Sequence, residues 1–111
     1  MVNKQNSEKI FKALANSARL EIISLLSERQ FCVNALVGRM NISQAAVSQH
    51  LKILENAGLV KKKKEGYWIH YTLAHKGFEN SCVFLNKILK PKGVNINVQR
   101  EKGKVRKGQR P

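Results

Sequence analysis

Asn41-Ile42-Ser43-Gln44-Ala45-Ala46-Val47-Ser48-Gln49-His50-Leu51-Lys52-Ile53-Leu54-Glu55-Asn56-Ala57-Gly58 is the stretch on which the reading of this chain turns. Asn41 to Ser43 make a three-residue turn ending on an N-cap serine. Gln44 through Asn56 then read as the longest and best-patterned helix, and Gly58 terminates it. On a wheel of about 100° per residue, Ala46, Val47, Leu51, Ile53, Leu54 and Ala57 fall on one side. Gln44, Ala45, Ser48, Gln49, Lys52, Glu55 and Asn56 occupy the other. That outer face is small and polar, without the dense alternating charge of a merely solvated helix. Its amides and hydroxyls suit the reading of base edges. His50 falls inside the apolar side, so it reads as a packed or phosphate-touching histidine before a base reader.

Upstream, Ser7 to Ala15 places Ile10, Phe11 and Leu14 on one stripe of a short helix, with Ser7 as its expected N-cap. Asn16 and Ser17 punctuate, and Ala18 to Leu26 resumes a helix apolar enough to lie centrally, with Arg19, Glu21 and Glu28 free to face solvent. A third helix is expected from about Val33 to Met40 on the repeat of Val33, Leu36, Val37 and Met40, weakened by Gly38.

Downstream, Leu59 to Glu65 and Tyr67 to Leu73 read as the arms of a hairpin turning at Glu65-Gly66. Alternation sends Ile69, Tyr71 and Leu73 to the core and Trp68, His70 and Thr72 away, while Lys61, Lys62, Lys63 and Lys64 charge the opposite arm. A closing helix from about His75 to Leu89 carries Phe78, Val83, Phe84, Leu85, Ile88 and Leu89. Pro91 ends it, and residues 91–111, basic, glycine-punctuated and without helical period, read as a disordered arm. The expected architecture is one domain over residues 1–90, mainly α with a β-hairpin, followed by that arm.

Composition restricts the partners. The 111 residues leave room for one core, and 42% hydrophobic content is that of a globular chain. Lys and Arg number 21 against 7 acidic residues, all Glu, for a net charge of +14, which points to a polyanion. Residues 1–90 hold 14 basic against 6 acidic residues, so the charge is not confined to the tail. Nothing resembles a secretory leader or approaches the ~18 apolar residues of a membrane span, so a cytoplasmic protein without a membrane partner is expected.

Two helices joined by a short turn, followed by a basic hairpin, are the arrangement of a winged helix-turn-helix. Residues Asn16-Ser17-Ala18-Arg19-Leu20-Glu21-Ile22-Ile23, the run Ile42 to Leu54, Ala57-Gly58-Leu59-Val60 and Gly66-Tyr67-Trp68-Ile69-His70-Tyr71 together resemble the ArsR/SmtB repressors over about residues 7–90. The resemblance implies a homodimeric repressor of a promoter, joined through its first and last helices and released by an inducer. Independent support is surplus apolar surface on those helices, from which Phe11, Leu14, Phe84 and Ile88 are the candidate interface. The partner is then double-stranded DNA bearing a pseudo-palindromic operator. Ser43, Gln44, Ala45, Ser48, Gln49, His50 and Lys52 would meet it from the recognition helix, and Lys61 to Lys64 with Tyr67 from the wing.

The sensory side departs from the family. Arsenic-sensing members carry Cys-Val-Cys where this chain has Cys32-Val33-Asn34, and an amide is a poor replacement for a thiolate. The family's zinc pattern of carboxylates and histidines along the last helix is absent. Three readings of Cys32 and Cys82 stand open. They only pack; or they form a thiol switch, through oxidation or a persulfide bridge, within or between subunits; or they bind a soft metal ion. In the last case His75, Glu79 and Cys82, at i, i+4 and i+7, would join Cys32. No other cofactor is implied. The competing function is a basic RNA-binding or nucleoid-type module, which the tail favours but which lacks an aromatic stacking platform. An enzyme is disfavoured because no Asp exists and no Glu pairs with His or Ser at catalytic spacing.

Overall fold

Two of the helices start on a side-chain cap that the sequence specifies. The computed structural model describes residues 4–89, in the order α1 (Lys4–Leu14), α2 (Ser17–Leu26), α3 (Val33–Arg39), α4 (Gln44–Asn56), β1 (Val60–Glu65), β2 (Trp68–Leu73) and α5 (His75–Leu89). The arm at 91–111 lies outside the described residues. Asn16 caps α2 by accepting from the Arg19 amide at 3.1 Å, and Ser43 caps α4 by accepting from the Ala46 amide at 3.1 Å. At the far end of α4, the Leu59 amide donates to the Leu54 carbonyl at 3.0 Å and the Gly58 amide to Glu55 at 2.9 Å. This is a Schellman closure, and it needs the positive φ of 79° that Gly58 supplies.

Ile22, Leu36, Val47, Leu51, Leu54 and Leu59 are the fully buried side chains, so α2, α3, α4 and the entry to the hairpin share one core. Leu14, Tyr71, Leu73 and Phe78 pack against it while half-buried. β1 and β2 pair antiparallel from Val60 opposite Leu73 to Glu65 opposite Trp68. Phe31 adds a single bridge to the other side of β2, its amide donating to the Tyr71 carbonyl at 3.2 Å and its carbonyl accepting from the Tyr71 amide at 2.8 Å.

The structure corrects four expectations. Ser7 is not the N-cap of α1, because the helix begins at Lys4 and Ser7 lies buried within it at 2% exposure. Arg19 does not face solvent. Its Nε donates to the Ala13 carbonyl at 2.6 Å, tying the end of α1 to α2. The hairpin turns at Gly66-Tyr67 rather than Glu65-Gly66, since Glu65 still pairs with Trp68 and the positive φ of 64° falls on Gly66. Finally, Ile69 is 38% exposed while His70 and Thr72 are half-buried. The wing extends past the core, so exposure along β2 falls from tip to base and does not alternate.

Candidate nucleic-acid interface

Burial divides α4 as its sequence does. Val47, Leu51 and Leu54 are buried, anchoring the helix on α2 and α3, while Gln44, Ala45, Ser48, Gln49 and Lys52 are exposed along one face. Ala45 leaves that face without bulk between two glutamines. Ser43 is also exposed; its oxygen accepts the capping bond and still has its hydroxyl proton and a second lone pair to offer a partner.

His50 belongs to neither face. Half-buried, it turns Nδ1 toward Arg19 Nη1 at 3.2 Å. A guanidinium only donates, so Nδ1 is the acceptor and the ring proton sits on Nε2. The packed reading of His50 is therefore the one its geometry supports. Burial, and after it the Arg19 charge, push the His50 pKa below its ordinary 6.5. Between that lowered value and 6.5 the unfolded chain binds more protons at this site than the folded one. Stability contributed by His50 is thus present above pH 6.5 and is lost as the pH falls toward the folded-state value. Thermal midpoints between pH 5 and 7.5 are expected to fall on acidification more steeply for the wild type than for His50→Gln, whose amide oxygen still accepts from Arg19. Parallel profiles would show that His50 carries no such linkage.

The wing presents Lys61, Lys62, Lys63 and Lys64, all exposed, to both faces of the hairpin. Lys61 and Lys63 stand opposite Thr72 and His70, and Lys62 and Lys64 opposite Tyr71 and Ile69. Among the described residues, Lys63 alone of the four contacts a carboxylate, Glu65 at 3.5 Å, an exposed pair worth little. Tyr67 stands fully exposed at the tip, and Trp68, 64% exposed, stacks on His70 with centroids 6.5 Å apart.

The candidate sensor residues are more scattered. Cys32, at the N-cap position of α3, and Cys82 on α5 are half-buried free thiols. Among the described residues no three His, Cys, Asp or Glu side chains group closely enough to hold a metal ion, so His75, Glu79, Cys82 and Cys32 are not brought together within one chain. Of the interface candidates, Phe11 and Phe84 face each other at 5.9 Å and join α1 to α5 inside the chain. Leu14 packs on the core. Ile88 is 53% exposed and Val83, which the sequence reading gives to the closing helix but not to the interface, is 45% exposed. Two arginines at the base of the wing also escaped it. Arg29 and Arg39 both place their guanidinium carbons over the buried Phe31 ring, at 4.4 and 5.5 Å from its centroid.

Comparison with known proteins agrees with this geometry. Residues 16–62 match the profile described as bacterial regulatory protein, arsR family. The transcriptional activator HlyU of Vibrio cholerae is 40% identical over 74 residues, covering 64% of this chain and 68% of that protein. The chain belongs to the ArsR family. The arsenical resistance operon repressor of Bacillus subtilis is 43% identical over 87 residues, covering 72% of this chain and 83% of that one. Among solved structures, an ArsR-like transcriptional regulator from Rhodococcus superposes with a TM-score of 0.74 at 26% identity, over 80% of this chain and 84% of its own. For several other relatives the matched stretch spans 48% to 60% of their length. As an ArsR-family member the chain is a DNA-binding transcriptional regulator rather than an enzyme, with the winged helix-turn-helix expected of it. An RNA-binding module is not favoured. No helix among the described residues is long and apolar enough to cross a membrane.

Proposed function

We propose that this regulator is a repressor that binds a pseudo-palindromic operator as a homodimer, one α4 in each of two major-groove segments about 34–36 Å apart. The observation that carries the reading is the exposed small-polar face of Gln44, Ala45, Ser48 and Gln49 on a helix that buries Val47, Leu51 and Leu54 on its other side. Helix and wing divide the work: amides and hydroxyls discriminate bases, and Lys61 to Lys64 neutralise phosphates. Apolar Val83 and Ile88, exposed on α5, supply the surface for a second copy. A footprint on the DNA upstream of its own reading frame should protect two half-sites in symmetric register. Light scattering should give twice the 12.6 kDa chain mass. A monomer that protects a single unrepeated segment would overturn the dimeric reading.

Release of the operator is assigned to thiol chemistry at Cys32 and Cys82, which are the chain's only cysteines and are both free. Cys32 adjoins α3, the helix that supports α4, so a change there has a short route to the recognition face. Operator binding by wild type, Cys32→Ser and Cys82→Ser is to be compared under reduced, tetrasulfide-treated, arsenite-loaded and zinc-loaded conditions. The expected outcome is that tetrasulfide weakens wild-type binding and spares both serine variants. An identical response of all three proteins would leave the cysteines as packing residues.

A further inference from the structure

Phe31 is a buried ring, 2% exposed, with two exposed cations stacked against it, Arg29 from the segment after α2 and Arg39 from the last residue of α3. Neither arginine has a carboxylate partner among the described residues, whose ion pairs are Lys12 with Glu8 and Lys63 with Glu65. Both guanidinium centres lie within 5.5 Å of one centroid. The two charges therefore stand no more than about 10 Å apart, close enough for both to reach one anion.

Their position in the fold suggests which anion. Phe31 pairs with Tyr71 on β2, and Tyr71 is opposite Lys62 on β1, so the arginines stand at the base of the basic wing. Arg39 also precedes the turn from α3 into α4 and lies four residues before the Ser43 cap. The site thus adjoins both elements proposed to meet DNA, α4 and the wing, and in a helix-turn-helix the helix before the recognition helix, here α3 ending at Arg39, crosses the sugar-phosphate backbone. Stacking on Phe31 also restricts both side chains before any ligand arrives, and a planar guanidinium matches two phosphate oxygens at once.

We propose that Arg29 and Arg39, held on the Phe31 ring, form a clamp for one backbone phosphate of the bound duplex. The clamp rests on the DNA-binding reading above and adds two residues to it. It sets affinity and register, not sequence preference.

The test is a salt titration of binding, from about 50 to about 200 mM, to a random-sequence duplex and to the upstream duplex. The proteins are wild type, Arg29→Gln, Arg39→Gln and the double variant, with Lys12→Gln as a control that removes the same charge from α1. Each arginine variant should weaken binding to both duplexes alike and lower the slope of log K against log salt by up to about 0.9. The double variant should also lose about 0.9 rather than twice that, because one phosphate is shared, and Lys12→Gln should keep the wild-type slope. Thermal melts establish folding. Should glutamine uncover Phe31 and unfold the chain, Arg29→Met and Arg39→Met retain an apolar cover and carry the same expectation. Folded arginine variants with the wild-type slope, or a control that loses as much, would overturn the clamp and leave the guanidinia as a lid on Phe31. No wild-type affinity for either duplex would overturn the DNA-binding reading and the clamp together.

Discussion

Gly77→Ala is expected to unfold at markedly lower urea concentration than the wild type, although alanine is the better helix former. Gly77 lies buried in the first turn of α5, against the glycine that closes α4. A Cβ at position 77 would overlap the Gly58 carbonyl oxygen, with the carbonyl carbon at 2.9 Å and Leu59 Cδ2 at 3.4 Å. The obstacle is backbone, which cannot rotate aside as a side chain would. Gly58 is held by the Schellman bonds of α4, and the Ala74 amide donates to the Leu59 carbonyl at 2.8 Å, so the junction is fixed from both ends. Relief requires α5 to move off α4. Overpacking of this kind costs about 1–3 kcal/mol, and more where backbone must shift; the gain in helix propensity returns less than about 1 kcal/mol. A net loss of about 2 kcal/mol would lower the melting temperature of so small a domain by on the order of 10 °C. Gly38→Ala makes the comparison sharp. Gly38 is exposed in α3, and a Cβ there meets nothing within 4 Å, so its replacement should be neutral or mildly stabilising. If the two alanine variants melt together, the α4–α5 contact is looser than described.

That contrast also marks what the sequence could tell. The α4 helix was legible because three independent signals agreed: a serine cap, an apolar stripe at helical period and a terminating glycine, all local properties of the chain. The lysine arm of the wing and the closing helix were legible for the same reason. Gly77 carried no such signal, since its requirement comes from a helix end some twenty residues away. Arg19 was expected in solvent because arginine on a helix usually lies there. Its inward turn follows from the Ala13 carbonyl left free at the end of α1 and from His50 across the core edge, neither of which periodicity reveals. The same holds for Arg29 and Arg39, ten positions apart, which share the Phe31 ring only once the chain is folded. The one-residue error at the hairpin tip has a smaller cause. Either dipeptide around Gly66 could turn, and pairing of Glu65 with Trp68 decides between them. That register frees Tyr67 from the strand and leaves it at the tip.

The Gln44→Ala, Gln49→Ala double variant is expected to lose operator discrimination while keeping its affinity for random DNA. Both glutamines are exposed near the start of α4, flanking Ala45 and Ser48, and neither contributes to the core. Alanine is at least as good a helix former, so stability should not fall. What disappears is the amide's paired donor and acceptor, the arrangement that matches the major-groove edge of adenine. Each such pair is worth about 1–3 kcal/mol of discrimination, so loss of two should weaken operator binding by at least about 30-fold. Random DNA is held by phosphate contacts from residues this variant leaves intact, so its affinity and salt slope should remain those of the wild type. The wing offers the opposite expectation. Changing Lys61 to Lys64 to Gln removes charge and no base-reading group, so it should weaken both duplexes alike. Competition binding with operator and random duplexes at one fixed salt concentration separates the two. Should the double variant still prefer operator as strongly as the wild type, α4 would be a supporting helix and base reading would have to come from the wing, where Tyr67 and Trp68 are the exposed side chains able to do it.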